Sequence, residues 1–339
     1  MTSSAGPTED PFPDGIIDAH HHLYARPGLR YLVEDYIADI RRTGLDLRAS
    51  VYVQARSNYL PDGPEHIRVL GETSFALAEG DRAEEAGFLG VCAGIVGAAD
   101  LTAGAAVRDI LERHIALAGH VAYGGRFCGI RHILAWDEDA SLLNPAYPTS
   151  ADMMDRSDFR AGLAVLSDMD LSFDAWLLSP QLPRLIRLAR DFPDLRIVLN
   201  HCGGAVAVGP YADRTAEIFS RWSADIAELA RCANVTVKLG GLGMALSGFR
   251  LTETDLTEGP AALARLWQPW VYRLIEEFGA ERLMLESNAP ADRTLYPFDW
   301  GWRAFAGLLV NLPVADRQAL CRGTAERIYR LQCPVPGHV

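Results

Sequence analysis

The run Asp18-Ala19-His20-His21-His22 closes an apolar, β-branched stretch that begins at Gly15. Side chains alternate along an extended strand, so His20 and His22 should project to one side, with Asp18 one step deeper and His21 facing away. Two imidazoles at this spacing can share a metal ion or polarise one carbonyl. A third imidazole, His201, ends the run Ile197-Val198-Leu199-Asn200-His201-Cys202, and Gly203 and Gly204 behind it let backbone approach a ligand. A further run ends Leu285-Glu286-Ser287-Asn288, with Asp292 on the loop beyond. Glu286 and Asn288 should share a face, and either Asp292 or Glu286 can activate water. The same residues also admit structural roles: histidines on a surface loop, a satisfied core His201, Asp292 capping a turn, and Glu286 paired with Lys238.

Other run ends supply candidate substrate contacts: Gln54 and Arg56, Arg131 and His132, Asp174 and Trp176, and Lys238. Arg131 offers a planar fork for a carboxylate or enolate and Lys238 a point charge, which together suit an anionic or carbonyl-bearing substrate. Each alone is equally compatible with a structural ion pair. Trp136, Trp176, Trp300 and Trp302 could line a roomy apolar pocket or serve as packing. There is no GxSxG elbow or GxxxxGK[ST] loop, and Gly240, Gly241 and Gly243 lack dinucleotide spacing. Those glycines suit tight turns.

Elements must bring these positions together. Strand-like runs are expected over 15–23, 49–54, 87–96, 127–133, 171–177, 196–203, 235–241 and 282–288. Between them, three- and four-residue apolar spacing predicts helices over 31–44, 100–119, 158–169, 180–191, 213–232 and 260–278, then 299–310 and 314–331. Pro269 should kink or split the sixth. Eight strand–helix units without a low-complexity linker fit one closed (β/α)8 TIM barrel, an α/β fold spanning 14–332, with tails at 1–13 and 333–339. In such a barrel the C-terminal strand ends surround a common mouth, which is where all the candidates lie.

Composition narrows the partners. With 32 basic against 44 acidic residues the net charge is −12 and the pI about 5.2, which disfavours nucleic acid. The start MTSSAGPTEDPFPDG lacks a basic, apolar leader, and the longest apolar stretch, 87–99, is too short to cross a bilayer. A cytoplasmic protein is expected, with a small-molecule substrate, no membrane partner, and a second copy in a homodimer as an assembly the sequence leaves open. Six cysteines without a CxxC pair read as reduced thiols.

The blocks IIDAHHHL, GGRFCGIRHILAWD, LSFDAWLLSPQLPRLIRLARDFPDLRIVLNHCGG, VKLGGLGM and ERLMLESNAPAD span nearly the whole chain. Together they resemble the amidohydrolase-2 branch of the amidohydrolase superfamily, TIM barrels that include sugar lactonases and 2-pyrone-4,6-dicarboxylate lactonase. The resemblance implies hydrolysis of a lactone, ester or related bond, with His20 and His22 as the family's HxH pair and His201 as its strand-six histidine. Asn288 stands where the family ends strand eight in aspartate. Either Asp292 substitutes, or the site works with a weakly held metal or none. The expected machinery is one divalent ion, zinc first, on His20, His22 and His201, or direct polarisation of the carbonyl by them. Asp292 would deprotonate water, and Arg131 and Lys238 would steady the developing oxyanion. The alternatives are metal-dependent non-oxidative decarboxylation of an unsaturated or aromatic acid, and a non-catalytic ligand-binding barrel.

Overall fold

The computed structural model describes residues 10–332; of the expected tails at 1–13 and 333–339, residues 1–9 and 333–339, with Cys333, lie outside the described residues. Packed chain begins ahead of residue 14, because Phe12 sits edge-on against Trp302.

Eight strands pair in parallel in chain order: β1 (Ile16–His21), β2 (Leu47–Val53), β3 (Gly94–Gly97), β4 (Phe127–Ile133), β5 (Ser172–Trp176), β6 (Ile197–Leu199), β7 (Val235–Leu239) and β8 (Leu283–Leu285). The last strand returns to the first. Asn288 N donates to His20 O at 2.9 Å and His22 N to Ala289 O at 2.7 Å, so the sheet closes at its C-terminal end. Each strand is followed by a helix: α1 (Val33–Thr43), α2 (Leu70–Glu85), α3 (Val107–Ala118), α4 (Ser157–Asp168), α5 (Leu182–Asp191), α6 (Thr215–Leu229), α7 (Pro260–Phe278) and α8 (Phe298–Leu309). This is the (β/α)8 barrel expected from the sequence.

The strands separate two apolar layers. Ile17, Ala19, Val51, Val53, Val198 and Met284 fill the barrel interior, where Ile328 and Tyr329 of the C-terminal segment join them. Tyr52, Ile95, Phe173, Leu199, Val237 and Leu285 face outward onto the helices. Among the described residues no helix is long and apolar enough to cross a membrane, and the five described cysteines are free and buried.

The strands expected over 196–203 and 282–288 stop early, at Leu199 and Leu285, the helix expected over 314–331 is broken into three segments, and three further elements depart from expectation. Helix α2 was not foreseen, because its buried face is Gly71, Glu72, Thr73, Ala76, Glu79, Gly80 and Ala83 rather than an aliphatic stripe. Strand β3 starts at Gly94 instead of 87, since Gly90 and Cys92 adopt positive φ and turn the chain ahead of it. Helix α7 runs unbroken through Pro269: the proline is exposed, so the carbonyl it leaves free can meet water, while Trp267, Trp270, Val271 and Leu274 bury the other face.

Candidate active site

The imidazoles converge. His20 Nε2 lies 3.3 Å from His22 Nε2, and the His20 and His201 rings are 4.5 Å apart between centroids. The pleat alone does not achieve this. The pairing of β1 with β2 slips between Asp18 and His21, so three steps on β1 match two on β2. The bulge brings His20 and His22 inward together, sends His21 outward to stack on Tyr36 at 4.4 Å, and corrects the expected place of Asp18. Asp18 faces α1 instead, accepting from Tyr36 OH at 2.9 Å and from Ser287 N and Oγ at 2.8 and 2.6 Å. His201 comes not from a strand but from a turn after β6, with φ of 56°. That turn fits because Gly241 lies against the ring: a Cβ there would stand 2.3 Å from the His201 Cβ.

One carboxylate organises the cluster. Glu286 Oε1 is 2.7 Å from His201 Nδ1, and Oε2 is 3.0 Å from His20 Nδ1. The predicted pairing of Glu286 with Lys238 is not what forms. Lys238 Nζ instead donates to Asp174 Oδ2 at 2.8 Å, which also accepts from Asn200 Nδ2 at 3.0 Å and Tyr329 OH at 2.8 Å. Both members of that ion pair are fully buried, and the cation meets the site only through His20 Nδ1, 3.4 Å away.

His20 has a donor-only cation at each ring nitrogen, Arg131 at 3.2 Å from Nε2 and Lys238 at 3.4 Å from Nδ1, and the carboxylate of Glu286 stands beside Nδ1 alone, at 3.0 Å, which favours the proton there. His22 Nδ1 is 2.7 Å from the Val53 carbonyl, which can only accept, so its Nε2 also carries a lone pair. Burial holds all three imidazoles well below their usual range, with Arg131 adding charge repulsion at each and Lys238 at His20 and His201. Burial also pushes Glu286 up to about 8, against the pull of Lys238.

A donor set of this kind fits a divalent ion. Two lone pairs 3.3 Å apart match the ~3.3 Å edge of a tetrahedron with nitrogen bonds of about 2.0–2.1 Å. His20, His201 and Glu286 also offer ligand atoms within 4.8 Å of one another. In this structure the Arg131 guanidinium stands beside His20 Nε2.

A cavity of about 610 Å³ opens beside the cluster, lined by Gln54, Arg56, Tyr59, Arg131, His132 and Tyr147 among others. None of the four candidate tryptophans lines it: Trp302 packs on Phe12 and Phe305, and Trp176 stands edge-on to His201 at 4.8 Å. His132, at the cavity wall, packs edge-on against Phe159 at 5.1 Å. Asp292 is not brought against the imidazoles. Its carboxylate accepts from Asn288 Nδ2 at 2.7 Å, Tyr296 OH at 2.8 Å and Gly243 N at 3.1 Å, and burial pushes it up to about 7. Asn288 therefore gives its amide to Asp292 and its backbone to the barrel seam.

A family profile described as amidohydrolase matches residues 17–331. The chain belongs to the amidohydrolase family. It is 28% identical over 333 residues to an L-fucono-1,5-lactonase of Burkholderia multivorans, covering 94% of this chain and 97% of that one. A solved amidohydrolase from Burkholderia multivorans with bound zinc superposes with a TM-score of 0.67 at 26% identity, covering 94% of this chain and 99% of that one. A putative 2-pyrone-4,6-dicarboxylic acid hydrolase from Pseudomonas putida shares the fold, with a TM-score of 0.59 at 17% identity over 94% and 99% of the two chains. Within this enzyme family, the features that sequence reasoning missed are the Glu286 bridge and the Asp174–Lys238 pair. The pattern marked Glu286, Asp174 and Lys238, but their partners depend on register.

Proposed function

We propose that this amidohydrolase hydrolyses a lactone or related ester, with the bridging of two imidazoles by Glu286 as the observation that carries the reading. His201 is the proton acceptor. It retains 3% exposure and His22 4%, where His20 has none, so a water can reach the first two. His201 Nε2 takes a proton from water while Glu286 faces its Nδ1–H and stabilises the imidazolium, the logic of a base oriented by a carboxylate. The water oxygen bonds to the carbonyl carbon, and the oxyanion so formed faces the Arg131 guanidinium. The ester C–O bond then breaks, the departing oxygen takes the proton from His201, and a hydroxy acid leaves.

Asp292 is assigned a positioning role here, holding Asn288 and the Gly243 turn. His20 and His22 would hold one divalent ion through their Nε2 atoms, zinc by their nitrogen donors, which leaves His201 Nε2 to the water, and such an ion would polarise a carbonyl when bound. Lys238 and Asp174 act on substrate only through His20. The test is turnover of a lactone panel by wild type and by His22→Ala and His201→Ala. Loss of about 10²-fold or more in both is expected; equal rates in either variant would overturn the assignment.

A further inference from the structure

The loop after β2 carries Arg56 and Asn58, both at φ of 54°. Non-glycine residues keep such a conformation only where the surroundings over-determine it. The surroundings here are one carboxylate. Glu72, in the first turn of α2 and 2% exposed, accepts at Oε1 from Tyr52 OH at 3.0 Å, Ala55 N at 2.7 Å and Ser57 N at 2.9 Å. Ala55 and Ser57 flank Arg56, so the carboxylate clamps the loop on both sides of that residue. Burying a carboxylate is costly, and this one satisfies two backbone N–H groups that would otherwise be orphaned.

Arg56 itself is exposed at the cavity wall, its guanidinium over the Tyr59 and Tyr147 rings at 5.7 and 5.6 Å. Among the described residues no carboxylate pairs with it, whereas Arg131 bonds His20 and the Gln54 carbonyl, and Arg156 pairs with Asp158. A guanidinium stacked on phenols keeps its edge N–H groups free for a bidentate carboxylate.

We propose that Glu72 is a positioning residue that sets Arg56 between Tyr59 and Tyr147 as an anion-recognition arm, so that the substrate is a lactone or ester bearing a free carboxylate besides its reacting carbonyl. This deepens the hydrolase reading and rests on it. The expected preference is for acid over neutral lactones.

The experiment compares a lactone carrying a side-chain carboxylate with its primary amide, using the full chain. Arg56→Ala should raise KM for the acid about 10- to 100-fold with kcat nearly unchanged, and not raise KM for the amide. Glu72→Ala should move KM in the same way, Glu72→Gln should recover most of the loss through its carbonyl, and Tyr52→Phe, which keeps the carboxylate, should show a smaller rise confined to the acid. Equal losses on acid and amide, or a fall in kcat alone, overturn the proposal. Calorimetry with glutarate separates it from the hydrolase reading: weaker binding to Arg56→Ala than to wild type supports the arm even where no lactone is turned over, and equal binding refutes it.

Discussion

Replacing Glu286 by glutamine changes one atom of the site and separates chemistry from stability. The carboxylate meets two Nδ1 atoms at 2.7 and 3.0 Å. Glutamine offers one carbonyl and one donor, so one imidazole faces an N–H, must take the other tautomer, and loses its Nε2 lone pair. Removing the carboxylate that orients a catalytic imidazole costs about 10²- to 10⁴-fold in rate, or ~3–5 kcal/mol of transition-state stabilisation. Stability should move the other way. Burial pushes Glu286 up to about 8, so above that pH the folded state bears a desolvated charge that the amide lacks. The assay is kcat on the best lactone beside a thermal melt at pH 8. Lower kcat with an unchanged or raised Tm is expected; activity within about threefold of wild type, or a rate loss that tracks unfolding, would refute the reasoning.

Lys238→Met should destabilise by ~3–5 kcal/mol in denaturant melts because Asp174 keeps a buried charge without its cation, and adding Asp174→Asn should recover part of that; no recovery would deny the pair its role. Burial lifts Asp292 to about 7 from an ordinary 3.8, so between pH 4 and 7 the folded chain holds a proton that the unfolded chain has released. Stability therefore falls as pH rises through that window, by at most about 4 kcal/mol, and Asp292→Asn should flatten the slope in Tm-against-pH curves. Zinc titrated into the protein should bind at one site by calorimetry, at least about tenfold more weakly in His22→Ala; an unchanged affinity would move the ion off the imidazoles.

The barrel was legible because seven of its eight helices carry aliphatic stripes and its strands are apolar runs. Helix α2 was not, since Gly71, Ala76, Gly80 and Ala83 pack by being small. The meeting of His20, His22 and His201 was legible from their places at strand ends, because barrel geometry forces such residues to one rim. Which neighbours they meet was not. A bulge shifts every side chain beyond it to the other face, and alternation carries no mark of where one falls, which is why Asp18 was misplaced. The same limit hid the partners of Glu286, itself marked as a candidate: its run ends as strand at Leu285, and both imidazoles it bridges lie far away in sequence.

The closing contact beneath the site has a consequence for biosynthesis. A ribosome adds Tyr329 after every strand has been made, and until that phenol arrives Asp174 lacks the donor that contacts both its oxygens. An emerging or prematurely terminated chain can have all eight staves and all three imidazoles yet carry a floor open to water from below. Competence would then switch on only once Tyr329 has been added, so that a chain cut anywhere between Leu285 and Tyr329 would be inactive although it carries every strand and every imidazole of the site.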